Sequence, residues 1–332
     1  MAFPFDLYLA SLLGAACASF VTLPAWRRWC LRTGHVDDPG HRKIHAQPIP
    51  LAGGLAVMTG LLLPLLAAVT LLALARSSVP IPFLHPEALN RLDYGFGARQ
   101  LPLAAILFGL LAMLTLGWLD DRHELRPLAK FSAQILIATL VAAAGIRLSL
   151  FVPSLLFSYS LTILWIVGVT NALNFLDNMN GLATGITAIA AAAFALIAAR
   201  HGQYLVAALA LLGSGAFLGF LPWNYPRASA FLGDAGSHVA GFLLAILALL
   251  PSFYSPEHPR PQAVLAPLLI LIVPLADLAS VVWIRARRGI PPWIGDTNHL
   301  SHRLVRAGLS PTAAVATLWT LALTGALAAL LL

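Results

Sequence analysis

Long uncharged apolar runs alternate with short charged clusters along this chain, and that pattern predicts membrane-crossing helices. A helix needs about 20 mostly apolar residues to cross a bilayer. Stretches of that kind fall at roughly 7–26, 52–75, 101–119, 131–147, 153–173, 181–199, 203–221, 236–250, 263–284 and 312–332. The uncharged run 148–176 can tilt or break at Pro153, and the run from 203 ends in Trp223-Asn224-Tyr225-Pro226. The expected fold is all-α: a polytopic membrane protein of about ten helices, one domain over residues 1–332. Composition agrees, since 59% of the 332 residues are apolar and 10% charged, against about 25% charged in soluble domains. A soluble globular protein is excluded, and so is a disordered or nucleic-acid-coating chain. The bilayer is the expected partner. Cys17 and Cys30 make no disulfide framework. The N-terminus MAFPFD carries an acid where a cleavable signal carries bases, so the first apolar run is expected to be retained.

Ten alternating spans sort the loops into two sets, and the positive-inside rule orients them. One set holds fourteen of the 20 bases: Arg27, Arg28, Arg32, Arg42, Lys43, Arg122, Arg126, Lys130, Arg227, Arg285, Arg287, Arg288, Arg303 and Arg306. The other holds Arg76, Arg91, Arg99, Arg147, Arg200 and Arg260. The first set is therefore expected in the cytoplasm, with both termini outside.

The polar clusters with a chemical character fall on that same side. Asp120-Asp121 closes the third span, two adjacent carboxylates pointing to different sides. A solvated helix end is the plain alternative, but acids are disfavoured at a helix C-terminus. A compensating cation is expected, and magnesium held by carboxylates and substrate phosphates suits it. Asn171, Asn174 and Asp177 share one arc of the fifth span, where they either hydrogen-bond between helices or face a polar ligand. Asn178-Met179-Asn180-Gly181 reads as the turn opening the sixth span. Asp234, in Gly-Asp-Ala-Gly-Ser, sits near a helix N-terminus, as an ordinary cap or beside a phosphate or metal. Asp277 reads as a structural ion pair or cap.

In 296–306 the pattern predicts a helix capped by Thr297 and ended by Gly308, with His299, His302, Arg303 and Arg306 opposite Leu300, Leu304 and Val305. This is either a basic amphipathic helix on the membrane surface or a phosphate-binding stripe with arginine as clamp and histidine as proton donor or hydrogen bonder. Zinc held by His299 and His302 with His41 and His45 has the right spacing, but no cysteine joins the set and magnesium-type carboxylates dominate. The run His41 to His45, with Lys43, suits a polyanion, although bases at such a boundary often serve topology alone.

In this order, the stretches DDPGHRKIHAQPIPLAGG, GWLDDRHELRPLAKFSAQ, NALNFLDNMNGLATG, FLPWNYPRASAFLGDAGS and GDTNHLSHRL resemble the polyprenyl-phosphate N-acetylhexosamine-1-phosphate transferases. This integral-membrane family includes MraY and WecA, and the PIPLAGG loop and LSHRL ending are closer to the WecA branch. The resemblance implies transfer of a sugar-1-phosphate from a UDP-sugar, by default UDP-N-acetylglucosamine, to a polyprenyl phosphate. It implies release of UMP, dependence on Mg²⁺, a place in the inner (plasma) membrane with the site on the cytoplasmic face, and room for a homodimer. By resemblance Asp120, Asp121, His299 and His302 are catalytic and Asp234 holds the metal. Lys43, His45, Asn174, Asp177, Asn180 and Arg303 then bind substrate. Three positions depart from the family pattern: Asn180 and Asn298 stand where aspartate is usual, and Ser301 where the middle histidine of a His-x-His-His motif is usual.

A phosphate monoester has a second pKa near about 6, so the lipid phosphate is mostly its own nucleophile at neutral pH. Direct attack on the sugar-bearing phosphorus is therefore expected rather than a covalent aspartyl intermediate. The competing class is a secondary transporter or flippase of an anionic lipid or sugar phosphate, which would place charges at mid-membrane.

Overall fold

The computed structural model describes residues 4–38, 47–77, 93–148, 152–251, 261–291 and 293–332. Its main helices are α1 (Phe5–Thr33), α2 (Gly53–Arg76), α3 (Gln100–His123), α4 (Pro127–Ala143), α5 (Leu155–Leu176), α6 (Leu182–Arg200) and α7 (Tyr204–Asn224). They continue with α8 (Gly233–Leu247), α9 (Ala266–Ile270), α10 (Ile272–Arg287), α11 (Leu300–Arg306) and α12 (Pro311–Leu331). Seven of them are long and apolar enough to cross a membrane, and an eighth crossing is formed if the bent pair around Leu271 is one span. The helices α4 and α8, 17 and 15 residues long, are apolar but shorter.

Local chemistry explains three of the helix starts. Pro127 starts α4, where its missing N–H costs nothing. Ser154 caps α5 by accepting from Phe157 N, and Ser310 caps α12 by accepting from Ala313 N. The uncharged run 148–176 thus resolves as a helix beginning just after Pro153.

One expected span is broken. The stretch read as 263–284 bends by 73° between Ile270 and Ile272. Pro274 lies four residues after Ile270 and has no N–H to give to the Ile270 carbonyl, so the helical ladder fails at that point.

At the centre stands α8, with Ala235 to Leu247 buried. A helix that is apolar all round belongs inside a bundle. One contiguous hydrophobic core runs from Ala15 in α1 to Ala329 in α12 and includes this helix. The N-terminal end of α8 lies against α3 so closely that a Cβ on Gly117 would stand 2.2 Å from the Asp234 carbonyl oxygen. Only hydrogen fits there.

A two-stranded antiparallel pair, β1 (Val36–Asp37) and β2 (Ile49–Pro50), follows α1. Beyond β2 the backbone continues into 231–232: Phe231 N donates to Pro50 O, Gly53 N to Phe231 O and Gly54 N to Leu232 O, at 2.9–3.0 Å. The loop before α2 and the loop before α8 are therefore one backbone-bonded unit.

Gly117→Ala should lower thermal stability in detergent by about 1–3 kcal/mol, the cost of forcing an extra carbon into a packed contact. Gly168→Ala, whose Cβ would meet nothing within 4 Å, should be neutral or slightly stabilising. Equal unfolding temperatures for the two variants would contradict the close α3–α8 packing.

Candidate active site

Four helix ends meet around the side chain of Lys130, one turn into α4. Its ammonium is 2.5 Å from Asp120 Oδ2 on α3, 3.2 Å from Asn174 Oδ1 on α5 and 3.5 Å from Asp234 Oδ2 on α8. Asn174 Nδ2 in turn donates to Asp234 Oδ1 at 2.7 Å and to Ser237 Oγ at 3.0 Å. Asp120 is 8% exposed, whereas the Asp234 side chain is 37% exposed and open to a ligand.

The two adjacent aspartates do point apart. Asp120 Oδ1 accepts from Leu125 N at 2.9 Å, holding the turn between α3 and α4. Asp121 accepts from Asp234 N at 2.8 Å and Ala235 N at 3.1 Å, so it caps α8 from outside. A carboxylate at a helix N-terminus satisfies free N–H groups and opposes the positive end of the dipole. Asp177, just past α5, faces the same cluster: desolvation, then the Asp234 and Asp121 carboxylates, raise its carboxyl well above the ordinary aspartate range.

One turn deeper lies a second polar layer. Gln134, four residues after Lys130, accepts from Asn171 Nδ2 at 2.7 Å, and His238, four residues after Asp234, meets the Asp234 carbonyl at 2.7 Å. Gln134 Nε2 and His238 Nε2 are buried without a protein partner, and an ordered water in each place would satisfy them.

The sixth-span turn forms as expected. Gly181 (φ +75°) precedes α6, and Asn224 at the end of α7 accepts from Gly181 N and Thr184 Oγ1, both at 2.9 Å. Asn180 is turned to the chain itself, its Nδ2 donating to Pro226 O at 3.3 Å.

The histidine segment is a seven-residue helix starting at Leu300. Thr297 does not cap it. Asp277, fully buried in α10, accepts from Leu300 N at 2.6 Å and from His299 Nδ1 at 2.7 Å, so the capping carboxylate comes from another helix. The Thr297 carbonyl instead accepts from Arg306 at 2.7 Å. Arg285 pairs with Asp296 at 3.1 Å and lies 5.2 Å over the Phe175 ring. Although burial opposes it, hydrogen bonds from Arg285 and Asn298 hold the Asp296 carboxyl below the usual range. His299 meets Phe175 edge-on, and Ser301 Oγ donates to Asn178 Oδ1 at 2.6 Å. Burial, then His299 and Arg306, hold His302 below the ordinary imidazole range, so it is neutral at pH 7. Arg303 lies on the exposed side.

Of the residues picked from the sequence, Asp120, Asn174 and Asp234 thus meet at Lys130, while Asp121 holds the backbone of Asp234 and Asp177 lies near both of those carboxylates. His299, His302 and Asn180 stand around the same end of α5. His41, Lys43 and His45 lie outside the described residues. Among the described residues no group of three His, Cys, Asp or Glu side chains is arranged to hold a metal ion. The sequence reading counted Lys130 only as a topology signal. As the single charge between Arg126 and Arg147, one turn inside an apolar helix, it could have been read as needing a carboxylate partner.

Lys130→Met should destabilise the protein by about 3–5 kcal/mol, because Asp120 is left buried without its cation. Adding Asp120→Leu should recover much of that loss. Thermal unfolding of both variants measures this, and a double variant no more stable than the single would argue against the pair.

Residues 103–252 match the family described as glycosyl transferase family 4. A probable undecaprenyl-phosphate N-acetylglucosaminyl 1-phosphate transferase of Bacillus subtilis (strain 168) is 31% identical, over 87% of this chain and 75% of the relative. A decaprenyl-phosphate N-acetylglucosaminephosphotransferase of Mycolicibacterium smegmatis is 34% identical over 93% of this chain and 78% of its own length. The undecaprenyl-phosphate alpha-N-acetylglucosaminyl 1-phosphate transferase of Escherichia coli (strain K12) is 27% identical over 86% and 72%.

Proposed function

This chain belongs to glycosyl transferase family 4, and from that premise we propose that it transfers N-acetylglucosamine 1-phosphate from UDP-N-acetylglucosamine to a polyprenyl phosphate, releasing UMP. The observation that carries the reading is the Lys130 cluster, in which Asp120, Asn174 and Asp234 from three other helices meet at one end of the bundle, in a chain so similar to the named transferases.

An acceptor phosphate oxygen attacks the sugar-bearing phosphorus, a new P–O bond forms, and the bond to UMP breaks. The acceptor is mostly dianionic at neutral pH, so no strong base is required. That fits the engagement of Asp120 and Asp121, whose oxygens are held by Leu125 N and Lys130, and by the α8 backbone. We assign both aspartates as positioning groups, Asp120 through Lys130 and Asp121 through Asp234. Lys130 and Arg303 offset phosphate charge, and His299 and neutral His302 offer hydrogen bonds to the pyrophosphate. His299 is fixed in tautomer and orientation by Asp277. Asn174 and Asp177 line the nucleotide side.

A Mg²⁺ ion fits the donors present. It is usually held by one or two carboxylates plus substrate phosphates, and Asp234, open to solvent beside Asp177, supplies that kind of set. When bound, it would neutralise developing charge on the phosphates.

We also propose ten crossings, with α4 and α8 included. At 1.5 Å per residue they reach only about 23–26 Å, but α8 is walled in by protein and need not match the hydrocarbon thickness. The excess of bases then puts the site in the cytoplasm and both termini outside.

Purified protein given undecaprenyl phosphate, UDP-N-acetylglucosamine and magnesium should release UMP in step with a lipid-linked product. Asp234→Ala should cut turnover at least about 100-fold. Absence of UMP from the unaltered protein would overturn the function, and near-normal turnover by the variant would overturn the metal assignment. For topology, cysteine placed at exposed Ser154 should label from outside intact cells, and at exposed Thr297 only after permeabilisation. The reverse pattern would invert the orientation.

A further inference from the structure

The first turn of α8 is held from two sides. Asp121 accepts from Asp234 N and Ala235 N, and the imidazole of His238, one turn further on, places Nδ1 2.7 Å from the Asp234 carbonyl oxygen. A carbonyl oxygen only accepts, so Nδ1 carries the proton. The ring is fully buried, and its other nitrogen, Nε2, has no partner among the described residues. From Val239 to Leu247 the helix is apolar and buried, and a leucine at 238 would continue that run without leaving a nitrogen unpaired. An imidazole kept at such a cost calls for a reason at its Nδ1 end.

The side-chain contacts of Asp234 cannot give it a lasting orientation. Asn174 at 2.7 Å and Lys130 at 3.5 Å occupy the same carboxylate oxygens that a cation would take, so a ligand at Asp234 has to displace or share them. Contacts to the main chain do not compete in this way. The Asp234 N–H faces Asp121, its carbonyl faces His238, and Ser237 Oγ reaches that carbonyl at 3.4 Å. With the peptide groups on both sides of Asp234 held, the direction in which its side chain leaves the backbone is held as well. The same carbonyl lies against Gly117 of α3, where a Cβ would overlap it, so α3 sends no side chain of its own to this oxygen from that position.

We infer that His238 is a positioning residue of the site: its Nδ1–H holds the Asp234 main-chain carbonyl and so keeps the Asp234 carboxylate aimed while its oxygens exchange protein partners for ligand. This rests on the transferase reading above and on Asp234 as the residue that holds the metal. A carboxylate aimed in advance binds a cation without first ordering its own helical turn. His238 acts through the backbone and touches neither substrate nor cation.

His238→Leu removes the donor and keeps the space filled, whereas His238→Asn puts an amide N–H where Nδ1 stands. Mg²⁺-dependent binding of UMP, followed by calorimetry without turnover, should weaken about tenfold in the leucine variant. Its kcat for UMP release should fall by about the same factor, with KM for undecaprenyl phosphate within about twofold. The asparagine variant should bring both binding and kcat back to within about threefold of the unaltered protein, because the donor is restored. Thermal unfolding of the leucine variant should come no earlier than that of the unaltered protein, since the unpaired Nε2 is gone. If the unaltered protein releases no UMP, the transferase reading fails and the positioning role with it. If it is active but the leucine variant binds Mg²⁺ with UMP and turns over as the unaltered protein does, or the asparagine variant is no better than the leucine one, the positioning role alone is overturned.

Discussion

An ammonium group held inside an apolar helix bundle must be surrounded by acceptors, and Lys130 meets that demand by drawing three other helices to it. Asp120 comes from α3, Asn174 from α5 and Asp234 from α8. The cost of burying one cation is met only when all these ends coincide. The tertiary arrangement at this end of the molecule therefore follows from a single charge, and the open oxygens of Asp234 are a by-product of the same compromise. Gly117 serves it too, since α8 can approach α3 this far only where no side chain intervenes.

Much of this was legible from the sequence, and the gaps have physical causes. The apolar runs located the helices because length and hydrophobicity alone define a membrane span. Asp120 and Asp121 were rightly read as diverging, since adjacent residues in any backbone cannot share a face. The break at Leu271 was missed because the apolar run continues across it, although Pro274 carried the signal. The cap of α11 was misassigned to Thr297 because local rules look for the capping group nearby, whereas Asp277 reaches it from another helix. Lys130 was overlooked for a similar reason: its partners are distant in sequence, and a base near a boundary is explained too easily by topology.

The carboxylates divide by what they hold. Asp121 faces backbone N–H groups, Asp277 a backbone N–H and an imidazole, and Asp296 a guanidinium and an amide. Each is spent on orienting another group. Asp234 is the exception in the Lys130 cluster, with oxygens reached by protein yet more than a third of its side chain open. Beneath it, the Gln134–Asn171 bridge and His238 carry the same hydrogen-bonding order one turn further into the bundle.

The hydroxyl of Ser301 lies fully buried against the Asn178 amide oxygen, at the position where the family resemblance leads one to expect an imidazole. Space closed around a hydroxyl leaves little room for a ring, so the side chains at 178 and 301 are packed as a pair. A histidine grafted at 301 alone would meet a background shaped for serine, and its effect would depend on what stands at 178. A single-site swap at 301 therefore measures the mismatch with 178 more than the residue itself.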